Sequence, residues 1–187
     1  MVYSTAPPRA AAPPSTGDDR GGIPGRPSVT IEEVASFFVE RPRQSMEPDG
    51  WAIVGLDANF IAAASRHTRS AMLLGAPAEV RFTPVRYDWS YGDGATRQAH
   101  GPGATWTTLQ LSEFSPTSTS HAYGSPGTFT VALTVRYSAE YRYAGGPWQP
   151  VPGELSAPAN DLVVSVLSAQ TVLVDEHCGT NPTGPGC

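Results

Sequence analysis

Residues 128–137 read TFTVALTVRY, and the fold class follows from them. Phe129, Val131, Leu133, Val135 and Tyr137 take the odd positions, and Thr128, Thr130, Thr134 and Arg136 take even ones. Successive side chains of a strand point to opposite faces, so this order gives one apolar and one polar face. Alternation of this quality predicts an antiparallel strand with its odd side on a core and its even side in water.

The stretch upstream, EVRFTPVRYDWSY (79–91), carries the same signal with one break. Val80 and Phe82 alternate with Glu79, Arg81 and Thr83. After Pro84 the apolar set moves to Val85, Tyr87, Trp89 and Tyr91. A change of parity would turn a continuous strand inside out. Pro84 cannot donate to a ladder, so a bulge, bend or strand switch is expected there. WAIVGL (51–56) and NFIAAAS (59–65) read as two more strands with a Gly-Leu-Asp turn between them. AMLLG (71–75) follows the polar break SRHTRS (65–70), which reads as a solvated hairpin tip. DLVVSVLSAQTVLV (161–174) is rich in β-branched residues and predicts the last strand or two.

Nearer the start, SVTIEEVASFFVERP (28–42) has Thr30 followed three residues later by Glu33, a capping-box spacing. Val34, Phe37 and Phe38 then share a helical face and Pro42 closes the segment, which predicts a short N-terminal helix. Residues 1–28 hold six prolines, four glycines and one aromatic residue, Tyr3. Such a segment buries too little apolar surface to offset backbone ordering and reads as a disordered linker. The expected organisation is a linker over 1–28, one β-sandwich domain over 29–177 and a Cys-bounded tail over 178–187.

Composition narrows the chemistry. The chain has 187 residues, a net charge of −5 and twelve basic residues, all of them arginine. Without lysine there is no Schiff-base nucleophile, no P-loop phosphate site and no SxxK acylation site. An acidic chain with no long basic run lacks the clustered cations that nucleic-acid binding requires, so no nucleic-acid partner is expected. No stretch of 18 apolar residues occurs, so no direct membrane insertion is expected either. The first residues lack a charged-then-apolar leader, which leaves a cytosolic chain or one whose export signal lies outside this sequence. Cys178 and Cys187 bound CGTNPTGPGC, where two prolines and three glycines allow a tight reversal. They read as a disulfide contributing about 2–3 kcal/mol, with two free thiols as the alternative. A disulfide implies an oxidising compartment.

Two separated motifs carry the functional reading. Residues 87–94 are YDWSYGDG and residues 121–135 are HAYGSPGTFTVALTV. Together they resemble the PKD (polycystic kidney disease) domain, with its W-x-F-G-D-G segment followed by H-x-Y-x-x-P-G-x-Y-x-V-x-L-x-V. The matching residues are Trp89, Tyr91, Gly92, Asp93 and Gly94, then His121, Tyr123, Pro126, Gly127, Phe129, Val131, Leu133 and Val135. Tyr91 stands where phenylalanine is usual, and Phe129 where tyrosine is usual. The likeness spans roughly 75–175, with a longer gap between motifs than a minimal repeat has. It implies an all-β, immunoglobulin-like antiparallel sandwich, used in bacterial secreted or cell-surface proteins as a spacer or adhesion module.

The residues themselves read as scaffolding. Trp89 on an alternating strand belongs in the inter-sheet space. Gly92 and Gly94 supply positive φ, and Asp93 closes an Asx-type turn. His121 invites assignment as a base or a metal ligand, but its place in HAY points to an imidazole bonded near the Asp93 turn. Gly127 after Pro126 launches the strand. Catalytic residues are not expected, because no GxSxG elbow accompanies the histidines and serines.

Other candidate residues compete with plainer roles. Arg66, His67 and Arg69 form a small basic patch that suits an anionic glycan or protein, or merely a solvated tip. Asp57, Asp88 and Asp93 are the candidate calcium ligands, but no DxDxDG loop is present and calcium wants six or more oxygens, so no cofactor is expected. Trp106, Tyr141, Tyr143 and Trp148 are candidate sugar-stacking aromatics, though cores absorb such residues routinely. The expected function is a non-catalytic, secreted or cell-surface module that binds a protein or polysaccharide partner, or acts as a spacer. The alternatives are a secreted hydrolase or its accessory domain, and a decoration subunit of a phage or pilus-like assembly.

Overall fold

The structure is a computed structural model and describes residues 29–38, 40–169, 178–180 and 182–183. The expected linker over 1–28, the strand expected near 171–174 and the partner cysteine Cys187 lie outside the described residues.

The chain is mostly β with two short helices, so the all-β expectation with a short N-terminal helix holds at the level of class. Helix α1 spans Ile31–Ala35 and opens on a complete capping box. The Thr30 N–H donates to Glu33 Oε2 at 2.8 Å, and the Glu33 N–H donates to Thr30 Oγ1 at 3.4 Å. Two N–H groups that five helical residues would leave unpaired are thereby satisfied. Val34 is fully buried, and the helix packs on the edge of the larger sheet.

Strands β1 (Arg43–Glu47), β2 (Trp51–Ile53), β3 (Asp57–Ala63), β4 (His67–Leu73) and β5 (Ala76–Ser90) follow. Next come β6 (Thr96–Ala99), helix α2 (Trp106–Leu109), β7 (His121–Ala122), β8 (Gly127–Tyr143), β9 (Gln149–Pro158) and β10 (Leu162–Leu167). A small antiparallel sheet has the order β1-β3-β7. The larger sheet is mixed and curled into a half-barrel: β2-β10-β8-β5-β4, with β6 on β5 and β9 on β8.

Its architecture is simpler than seven strands imply. β5 and β8 form one long antiparallel ribbon, from Ala78↔Tyr143 to Ser90↔Ala132. β10 covers β8 at 127–131 and β9 covers it at 134–141, so these two share one side of β8. On the free side of β5, β4 pairs along 76–82 and β6 along 87–90.

The parity change at Pro84 appears as a register shift between Pro84 and Arg86, with Val85 left unpaired. Val80 and Phe82 before it, and Tyr87, Trp89 and Tyr91 after it, are therefore all buried on the same side. A second irregularity lies across β8 at the same level, where Tyr137 pairs with Leu155 but Ala139 with Val151. Bulges on both neighbours of one strand increase its local twist and bend it, which is how the sheet curls. The odd residues Val131, Leu133, Val135 and Tyr137 of β8 are buried as the alternation predicts.

Two expectations need correction. SRHTRS is not a hairpin tip: β4 begins at His67, and the reversal comes at Leu74 and Gly75, which take φ of 50° and 78°. Trp106 is not an exposed aromatic but is buried, because α2 turns it inward. Strands β1, β6, β7 and β9 and helix α2 have no counterpart among the sequence expectations.

Candidate functional site

The two motifs meet at one corner of the molecule. YDWSYGDG forms the end of β5 and the turn after it, whereas HAY lies on β7 and belongs to the small sheet. Tyr91 continues the inward face of β5 past its last paired residue and is buried. The chain then reverses through Gly92 and Gly94, with φ of 87° and 95°. Gly92 is fixed by contact as well as by φ. A Cβ there would lie 2.6 Å from the Thr130 carbonyl oxygen of β8, so the turn sits directly on the strand.

Asp93, at the tip, is held from two sides. Its Oδ1 accepts from the Ala95 N–H at 3.0 Å, closing the turn, and its Oδ2 accepts from His121 Nε2 at 2.6 Å. The His121 ring lies parallel to Tyr91, with centroids 4.3 Å apart and planes within 6°, and meets Tyr123 edge-on at 4.7 Å. The tyrosine hydroxyls extend the connection. Tyr123 Oη donates to the Tyr91 carbonyl at 3.1 Å, and Tyr91 Oη donates to the Thr119 carbonyl at 3.1 Å. Each tyrosine hydroxyl thus ties the β5 end to the β7 segment.

The electrostatics follow from these contacts. Burial pushes the Asp93 carboxyl up, but the hydrogen bonds from His121 and the Ala95 N–H outweigh it and hold the group below its ordinary range. Burial raises the Tyr91 hydroxyl to about 12, and burial together with the Asp93 charge raises that of Tyr123.

Trp89 lies in the core beside Tyr87, and its Nε1 has no hydrogen-bond partner among the described residues. Gly127 opens β8, where Phe129 stacks on Tyr123 at 4.9 Å. Cys178 lies among the described residues, and its expected partner Cys187 does not.

The remaining candidates are scattered. Asp57 accepts from Ser120 Oγ at 2.6 Å, while Asp88 pairs with Arg136 and Arg86 on the outer face of the large sheet. With Asp93 on His121, the three aspartates have three separate sets of partners. Among the described residues no group of three or more His, Cys, Asp or Glu side chains is arranged to hold a metal ion. The basic patch divides: Arg66 and Arg69 are exposed, but His67 turns inward between Phe38, Phe82 and Tyr137 and pairs with Glu40. Trp148 lies against the Arg81 and Arg142 guanidinium groups, 4.1 and 4.5 Å from its ring, and Tyr141 Oη donates to Gln149.

The 100–120 segment is fastened by contacts that no periodic pattern in the sequence announces. Asn59, fully buried on β3, donates to Glu47 Oε2 and the Ala104 carbonyl and accepts from Thr117 Oγ1. Glu47 Oε2 also accepts the Trp106 N–H, and Trp106 Nε1 donates to the Ser115 carbonyl. Gly103 touches this frame so closely that a Cβ would lie 2.7 Å from the Phe60 carbonyl oxygen. A polar residue such as Asn59 inside an apolar strand was the available signal, because a buried amide needs partners from elsewhere in the chain.

No protein-family model matches this chain, and no curated protein matches it.

Proposed function

We propose that this chain is a non-catalytic binding and spacing module of the exterior of a cell, built as a PKD-like, immunoglobulin-type sandwich. The observation that carries the reading is the Asp93–His121 clasp. A general base needs a free nitrogen within reach of a nucleophile. His121 places Nε2 on Asp93, one ring face on Tyr91 and its edge on Tyr123. Asp93 spends both carboxylate oxygens in the same corner. These contacts hold two pieces of backbone together, and among the described residues no serine, threonine or cysteine side chain hydrogen-bonds to His121 as a nucleophile would.

Strand order supports the sandwich. In an immunoglobulin-type fold the first, second and fifth strands share one sheet, and the third, sixth and seventh share the other. Here β1-β3-β7 stand together, and β5, β8 and β10 are neighbours in the larger sheet. In this scheme β4 and the first half of β5 extend the domain, as does β9.

The test pairs stability with chemistry. Asp93→Asn and His121→Gln are expected to lower the melting temperature and to leave any ligand binding intact wherever the variant is still folded. A hydrolytic activity present in the wild-type chain and lost in either variant at unchanged melting temperature would overturn the reading.

A further inference from the structure

The outer face of the large sheet divides into two unlike halves. Around the middle of β5, β8 and β9 it is covered by paired charges: Glu79–Arg142 at 2.5 Å, Arg81–Glu140 at 2.7 Å, Asp88–Arg136 at 3.0 Å and Arg86–Glu154 at 3.3 Å. At the end formed by β2, β10 and the start of β8 the outward positions carry no charge. Register places Ser165 between Trp51 and Thr128, and Val163 opposite Thr130, with Leu167 next along β10. Cross-strand neighbours share a face, so these six side chains form one surface.

That surface is apolar and accessible. Trp51 is 39% exposed, Val163 61% and Leu167 55%. Trp51 is also held in place from the side. Phe114 lies 6.0 Å from it and Trp106 lies 5.7 Å from Phe114, so a line of rings runs from the anchored α2 to the surface. Phe114 itself takes φ of 62°, a left-handed conformation that a bulky residue adopts only when its surroundings impose it.

We propose that this face binds a neutral polysaccharide, with Trp51 as the stacking platform and Thr128, Thr130 and Ser165 as hydrogen-bonding partners for sugar hydroxyls. The inference rests on the reading of the chain as a non-catalytic binding module and names its partner class. Absence of charge selects a neutral ligand, since an anionic or cationic chain would lose its hydration here with no counter-charge to meet it. Size selects a narrow one. Three exposed apolar side chains make a patch on the order of a few hundred Å², below the roughly 800 Å² per partner that a stable protein interface buries. A ring held against Phe114 also loses little freedom when a ligand stacks on it.

The test uses the full chain and three insoluble probes: amorphous cellulose, chitin and granular starch. Depletion from solution is expected on at least one of them and is expected to survive high salt, because no ion pair forms. Trp51→Ala should weaken it about tenfold, the loss of one good contact. Val163→Asp, on an exposed position where folding is not at stake, should weaken it similarly. Trp148→Ala, on the charged half, should leave it unchanged. No retention on any probe overturns the proposal, as does retention indifferent to both Trp51→Ala and Val163→Asp, or retention abolished by salt. A concentration-dependent dimer in light scattering that Val163→Asp dissociates would overturn it in favour of a second copy as occupant. None of these results bears on the Asp93–His121 clasp, whose melting-temperature test stands apart.

Discussion

Asp93 is the residue on which the motif corner turns, and its contacts set what substitution should do. Asp93→Ala removes the acceptor of the Ala95 N–H and of His121 together. Solvent still reaches the side chain, which is 20% exposed, so the expected loss is about 1–2 kcal/mol in denaturant unfolding and not the full cost of a buried charge. The pH dependence has a definite sign. The carboxyl is held below its unfolded value of 3.8, so its contribution is present in full above that value and is lost as pH falls through the folded one. Asp93→Asn should therefore flatten the acid limb of a stability profile, the difference from wild type appearing as pH falls through and below the ordinary carboxylate value. An acid limb identical to wild type would contradict this. The tyrosines give the opposite limb. Burial raises Tyr87, Tyr91, Tyr123 and Tyr137, with Tyr91 at about 12. Stability from these groups is complete below the ordinary value of 10.0 and is lost as pH rises through the raised ones. Four of the seven tyrosines should ionise only when the β circular-dichroism signal collapses; all seven ionising together near pH 10 would refute the burial. Trp89→Ala should cost about 3–5 kcal/mol through the cavity it leaves. Trp89→Phe should cost much less, since the indole N–H it removes has no partner among the described residues.

At the scale of elements, the long strands were legible and the short ones were not. β8 was legible because the alternation read over 128–137 lies on a buried face, with every odd residue from Val131 to Ala139 buried. The break in β5 was legible for the same reason: two clean alternating runs of opposite parity can share one core only through an extra residue, and Val85 is that residue. β9 escaped notice because its prolines and glycine interrupt the pattern around Val151, and its pairing is set by β8. Helix α2 has four residues, too few for any period, and exists because the Trp106 N–H finds Glu47 and the indole finds Ser115. His67 looked like part of a surface patch because its neighbours are arginines. Only tertiary contact reveals that Glu40 and three aromatic rings draw it in, with Nε2 left unpartnered among the described residues. Trp51 was unreadable as a surface residue for a different reason, since WAIVGL is apolar throughout and shows no face. Inserting one alanine after Val85 tests the register directly. With the bulge kept at one residue, the insertion should place Arg86 and Asp88 on the core side of β5 and abolish cooperative unfolding, whereas deleting Val85 should join the two registers into one ladder and keep Tyr87 and Trp89 inward. An insertion variant as stable as wild type would mean that β5 has no fixed register beyond Pro84.

At the scale of the whole molecule, the motifs matter because they lie on different sheets: Asp93 follows β5 of the large sheet, and His121 stands on β7 of the small one. The larger sheet has a second long-range closure, the parallel pairing of β2 with β10, supported by the Val54 N–H donating to the Leu167 carbonyl at 3.0 Å. Tension applied at residues 29 and 169 loads parallel strands in shear, so several hydrogen bonds resist at once. Val54→Pro removes one donor and should lower the unfolding force in single-molecule pulling; an unchanged force would show that the β2–β10 contact carries no load. The clasp between sheets is the claim on which the functional reading stands, and a double-mutant cycle of Asp93→Asn and His121→Gln measures it most directly. A coupling of about 1 kcal/mol or more in unfolding free energy is the expected result. Additive effects of the two substitutions, with no coupling beyond error, would contradict it.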